Sequence, residues 1–351
     1  MSISSLSNLQ ISLLSTTAIE ALTATDIQSM SASQVGAINT SGIAVLDQTQ
    51  LSALSATQVK GLTAAQLPKL TSTLVFGTGQ LQALSNQQFG SLTTTQIDNF
   101  DATHIAVIAS TQIGALSATN FSGLDATHIG ALNGTQLSGL TKAELSGLTS
   151  TAMGNLKDTQ IALLASTQVG ALSATNFSAL DATALGALTS TQISGLTTAE
   201  LAGLTSTAMG NLKDTEIALL ASTQIGALSA TNFSGLDATA IGALTATQLK
   251  GVTATQIRAL DATDVGNLKS TQIGQLSTTQ IGGLNTTVIA NLTTTEIGYL
   301  QATQIPGLNA TQMPYLSTTN ITAMNATQIA GFTTAQVQTM MTEAQVEAYL
   351  A

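Results

Sequence analysis

The chain has 351 residues, of which only 7% are charged and 44% hydrophobic, with a formal net charge of −10, two histidines, and no cysteine or tryptophan. Eight basic residues in such a length argue against nucleic acid and anionic membranes, which demand clustered Lys and Arg. The lack of cysteine excludes disulfides and thiolate chemistry. Charge this low leaves a surface of Thr, Ser, Gln and Asn, while evenly spread apolar residues argue against a disordered tail.

Taken in chain order, apolar residues return at every eighth position: Leu6, Leu14, Leu22, Met30, Ile38, Leu46, Leu54, Leu62 and Leu70. The phase then slips, because Leu70–Val75 is six residues long, and the count resumes at Phe76 and holds to Met340. Leu92, Leu116, Leu148, Leu204 and Leu276 stand in this first column, and Ile97, Phe121, Met153, Met209 and Ile281 stand five residues after them. Near-identical 56-residue blocks occupy 92–147, 148–203 and 204–259. A second slip, of one residue, falls at Met340–Met341, and 341–351 reads as a charged, helix-like terminal cap. A fixed period of this kind predicts one solenoid domain over 1–351, with each octad an equivalent unit.

The octad reads Leu-[Ser/Thr/Asp/Asn]-small-Thr-Gln-Ile-x-[Gly/Ala]. Ser277 followed by Gln280, or Thr197 by Glu200, is a capping box, and the apolar residues at positions 1 and 6 form the hydrophobic staple around it. A helix of one to two turns is therefore predicted after position 2. Pro68, Pro306 and Pro314 all occupy position 7, and Gly is frequent at 7 and 8, which places the corner there. The expected fold is an all-α tight solenoid of one-turn helices with three or four octads per turn. A β-solenoid with short strands is the alternative. Thr favours strands, and from Thr95 to Ala335 position 4 is Thr in 28 of 31 octads, as a stacked internal ladder would require. Asp125 and Lys157, Asp181 and Lys213, and Asp237 and Lys269 lie four octads apart, so four per turn would stack opposite charges.

No catalytic, cofactor or metal constellation emerges. His104 and His128 stand where Gln is usual and lack neighbouring carboxylates of their own, so they read as polar variants of that column. Asp101, Asp125, Asp181, Asp237 and Asp261 at position 2 read as N-caps rather than calcium ligands. Asn120, Asn176, Asn232 and Asn309 begin Asn-x-Ser/Thr triplets, which composition alone produces in such a chain. The Thr column would present an ice-like lattice if it faced outward, but a buried or capping Thr explains it more simply.

Leu62-Thr-Ala-Ala-Gln-Leu resembles the helix opening of transcription-activator-like effector repeats, which supports a helix. Their 34-residue period and basic surface are absent, so their DNA binding is not expected here. Over nearly its whole length the chain resembles uncharacterised bacterial Leu-Thr-x-x-Gln-Ile octapeptide-repeat proteins, often predicted to be exported. It is also similar in composition to surface-layer and adhesin-type proteins. The octapeptide-repeat resemblance carries no assigned activity; the expected function is a non-enzymatic, self-assembling filament or layer component outside the cell, partnered by itself. The alternative is an elongated scaffold or adhesin recognising protein or glycan. The uncharged apolar stretch Met1–Leu14 does not read as a polar cap, and end-to-end stacking would cover it. Lys60 is the first basic residue, so the basic region of a secretory leader is missing. Leaderless export is the expected route, with a cytoplasmic location as the alternative. No apolar run approaches the roughly 18 residues of a membrane span.

Overall fold

The computed structural model describes residues 2–351, and Met1 lies outside the described residues. Short helices follow one another throughout, with no strand among the described residues. The all-α solenoid therefore stands and the β-solenoid does not. The residues group into two compact units, Met1–Asn176 and Phe177–Ala351, and the same octad geometry builds each.

In the first unit, Asp125 is extended at φ −77°, ψ 175°, and its carboxylate accepts the backbone N–H groups of Thr127 and His128. The helix Ala126–Ala131 follows, and Leu132 returns to extended angles. In the second unit, Thr253 caps Ala254–Ala259: its hydroxyl accepts the Gln256 N–H at 3.2 Å, and Gln256 Oε1 accepts the Thr253 N–H at 2.8 Å. Both halves of the capping box are present, as the sequence predicts. Replacing such a cap, as in Thr253→Ala, is expected to cost about 1 kcal/mol in chemical denaturation. The octad beginning at Ile108 already tolerates Ala109 at this position without a side-chain cap.

The corner lies elsewhere than the prolines and glycines indicate. Positions 7 and 8 keep right-handed helical angles, as at Asp98 (−60°, −18°) and Gly195 (−82°, −10°). The chain is redirected by the extended pair at positions 1 and 2 of the next octad. Proline at position 7 does not end the helix but tightens it. The octads with Pro68, Pro306 and Pro314 carry the 3-10 segments Leu67–Lys69, Ala302–Gly307 and Met313–Tyr315.

The staple residues make the core. Leu92, Ile97 and Phe121 are almost wholly inaccessible, and most residues of both columns are buried likewise. Helices of four to six residues do not survive alone in water, so this burial between successive turns is what holds them. Ala118–Ser122 packs on both Lys142–Ser146, three octads ahead, and Ser150–Gly154, four ahead. One turn thus takes between three and four octads.

No described residue has a positive φ, so glycine is used here for space and not for conformation. A Cβ on Gly139 would collide with the backbone of Ser110 one turn earlier, and one on Gly114 would collide with the Gly139 carbonyl. The pair Gly226 and Gly251 repeats this arrangement in the second unit.

Both phase slips are absorbed locally. Across Leu70–Phe76 the chain forms a turn instead of a helix, and Gln48 clamps it by exchanging two 2.9 Å hydrogen bonds with Val75. The extra residue near Met340 is taken up by a π-turn at Gln336–Met340. The last helix, Glu343–Leu350, packs on Thr318–Ala323, and the Tyr349 ring meets Phe332 edge-on.

Candidate functional site

The feature repeated with most fidelity is the side chain at position 5. Gln136 is buried, and its amide makes bonds in two directions. Oε1 accepts the N–H of its own cap residue, Asn133, at 3.0 Å. Nε2 donates to the Ile105 and Ile108 carbonyls, at 2.6 and 2.9 Å, on the preceding turn. Gln160 does the same to Ile129 and Leu132, and in the second unit Gln256 to Ile225 and Leu228, and Gln280 to Leu249 and Val252. A primary amide has one acceptor oxygen and two N–H donors, so this geometry uses all of it. The partners lie 31 and 28 residues back, at the junction of the fourth and third preceding octads.

The bond to the cap N–H does not depend on what residue the cap is. Ala109 and Lys157 cannot accept with their side chains, yet Gln112 and Gln160 still accept their N–H groups at 2.9 Å. After the six-residue slip, Gln80, Gln88 and Gln96 reach residues 29 and 26 back, shortened by the two missing residues. After the one-residue insertion, Gln345 reaches 32 and 29 back. The staple keeps its two carbonyls whatever the chain length between.

Substitutions in this column keep part of its bonding. Asparagine is one carbon shorter and reaches a single carbonyl, as in Asn120 to Leu92 at 2.6 Å and Asn232 to Leu204 at 2.8 Å. Asn176 bonds Leu148 likewise, and Asn309 at position 2 bonds Gly282. These four asparagines of Asn-x-Ser/Thr triplets thus have their amides engaged with backbone. His128 takes the same part: its Nε2 lies 2.8 Å from the Phe100 carbonyl, which can only accept, so Nε2 carries a proton. The expectation that the histidines lack carboxylates is corrected. Nδ1 of His104 lies 2.7 Å from Asp101 and that of His128 2.6 Å from Asp125. The hydrogen bond from the Thr103 hydroxyl, followed by those from His104, holds the Asp101 carboxyl far below its ordinary range. The His128 backbone N–H does most to lower Asp125. Asp101, Asp125, Asp181, Asp237 and Asp261 all cap helices, and so does Asp47 at the same position.

The stacked Asp–Lys pairs do not form. Lys157 Nζ donates to the Gly130 carbonyl at 2.8 Å and Lys213 Nζ to Gly186 at 2.9 Å, each 27 residues back. With a turn of fewer than four octads, each lysine falls over a helix end rather than over the aspartate.

The threonine column is also relocated. Position 4 is exposed in every octad from Thr95 to Ala335, so there is no internal ladder, and the premise that a buried Thr explains the column fails. Thr103 bonds its neighbour Asp101, at 2.6 Å.

Among the described residues, no three His, Cys, Asp or Glu side chains gather in a way that would hold a metal ion. An open groove of about 640 Å³ is lined by Lys60, Thr63, Ser85, Gln87 and Gln88, and contains no acid–base pair. Among the described residues, no helix is long and apolar enough to cross a membrane. No protein-family model matches the chain, and neither does any curated protein.

Proposed function

We infer that this chain is a non-enzymatic structural repeat protein, and that copies associate end to end into an extracellular or cell-surface filament or layer. The observation that supports this is the edge of the first turn. Leu9 and Leu13 are 70% and 75% exposed there, between them stands Gln10, and Gln10 Nε2 meets no acceptor among the described residues. Inside each unit such an edge is covered by a neighbouring turn whose carbonyls take the glutamine N–H groups. A second copy supplies the same cover, and a head-to-tail contact that does not close propagates into a fibre. Electron microscopy and sedimentation at rising protein concentration, under varied salt and calcium, are expected to show linear assemblies that Leu9→Lys with Leu13→Lys disperses. Monomers alone under all these conditions overturn the reading.

A second reading, an elongated scaffold that binds protein or glycan, is favoured by the outward threonine column, which runs through octad after octad. It predicts a stable monomer whose partner binding is lost when consecutive position-4 threonines are replaced by lysine.

A further inference from the structure

Four members of the position-5 column are glutamates, Glu144, Glu200, Glu216 and Glu296, and the first two have a buried carboxyl oxygen with no hydrogen-bond partner. Glu144 is 1% exposed. Its Oε2 accepts the Thr141 N–H at 2.7 Å and the Thr141 hydroxyl at 2.8 Å, as a glutamine oxygen would. Its Oε1 is buried without a hydrogen-bond partner. Glu200 repeats this, with Oε2 on Thr197 and Oε1 buried and alone. These are the only two such buried side-chain atoms among the described residues.

Oε1 of Glu144 stands where a glutamine carries its NH₂. Gln136 and Gln160 on either side follow the 31- and 28-residue register, which sets the Ile113 and Leu116 carbonyls opposite Glu144. A carboxylate oxygen facing carbonyl oxygens repels them, whereas a carboxylic acid supplies one O–H donor in the same place. The 56-residue blocks contain their own comparison. Glu144 and Glu200 correspond to Gln256 in the third block, and Gln256 donates to both of its carbonyls.

We propose that Glu144 and its copy Glu200 are proton-operated staples: each is held in the folded chain as a neutral acid that stands in for glutamine, and loss of its proton loosens the turn it belongs to. No cation is placed to hold the charged form. The helices packed on Lys142–Ser146, Ala118–Ser122 and Ser166–Val169, carry no titratable side chain, and neither do its chain neighbours Gly134–Leu137 and Ser150–Gly154. Lys142 on its own helix is exposed. Around Glu200, its own helix Thr198–Ala202 has no other charge, and Ser222–Ala227 packed on it has none.

Burial raises both carboxyls above the ordinary 4.5, outweighing the Thr141 and Thr197 hydrogen bonds that favour the anion. The folded chain then keeps protons that the unfolded chain has released. The stabilisation is complete below the unfolded value near 4.5 and is lost as pH rises through the raised folded value.

The test compares the full chain with Glu144→Gln/Glu200→Gln in thermal melts across pH. At about pH 4 the two are expected to differ least, by no more than the second carbonyl bond that glutamine makes and the acid does not. At pH 8 the double variant is expected to melt several degrees higher. Carbon NMR of the seven glutamate carboxyls is expected to show two that titrate above the rest, and these two vanish in the variant. A melting gap that does not change with pH, or ordinary titration of all seven, overturns the proposal.

Discussion

Gly139→Ala is expected to be among the most damaging single-methyl changes in the first unit, at about 2–4 kcal/mol. The added Cβ meets the oxygen, carbonyl carbon and Cα of Ser110, all backbone, so no side chain can swing aside to admit it. The turn has to lift, and lifting strains the neighbouring staples, Gln136 and Gln168. Gly154→Ala is the control. Gly154 ends the helix Ser150–Gly154, and nothing lies within 4 Å of an added Cβ. There the smaller loss of backbone entropy on folding is expected to make the variant neutral or stabler by about 0.5–1 kcal/mol. Urea denaturation of the two variants decides the matter. Equal stability would mean that the glycines serve no packing purpose.

Gln136→Leu is expected to cost about 3 kcal/mol or more, although leucine is apolar and similar in size. The change removes three hydrogen bonds at once. The Asn133 N–H loses its acceptor, and the Ile108 carbonyl and one lone pair of the Ile105 carbonyl lose their donor. Buried backbone groups left without partners cost about 1–3 kcal/mol each. Gln136→Asn is expected to fall between, because asparagine in this column keeps one carbonyl, as Asn120 does. Hydrogen exchange localises the effect: the amides of Gly134–Leu137 and of the turn below should lose protection while distant turns keep theirs. Uniform loss of protection would instead show that the turns unfold as one block.

Much of the octad was legible before any coordinates. Leu124, Asp125 and Ile129 stand where the staple and cap patterns put them, because those devices join residues three to five apart and depend on local geometry alone. The slips at Leu70–Phe76 and Met340 could be counted directly. The partner of Gln136 could not be found in this way. Its oxygen answers to a residue three places back, which a pattern records, but its nitrogen answers to Ile105 and Ile108, which become neighbours only once the turn closes. The length of that turn sets the offset, and eight residues of sequence do not contain it.

The same cause underlies the errors at other positions. Glycine-rich positions 7 and 8 suggest a corner because glycine often marks one, whereas Gly139 is there to let Ser110 come close. Counting four octads matches Lys157 to Asp125, but a turn between three and four sets it over Gly130 instead. The near-invariant threonine at position 4 invited a buried ladder, yet the helix turns that position to water in every octad. By itself the sequence determined the period, the helix, its cap and its two core columns, since each follows from contacts within one octad. Only the tertiary structure decided how turn meets turn: which carbonyls the glutamines hold, why glycine is needed, and where two glutamates leave a buried oxygen without a partner. Those interactions join residues some 25 to 31 positions apart, and they exist only after the solenoid has wound.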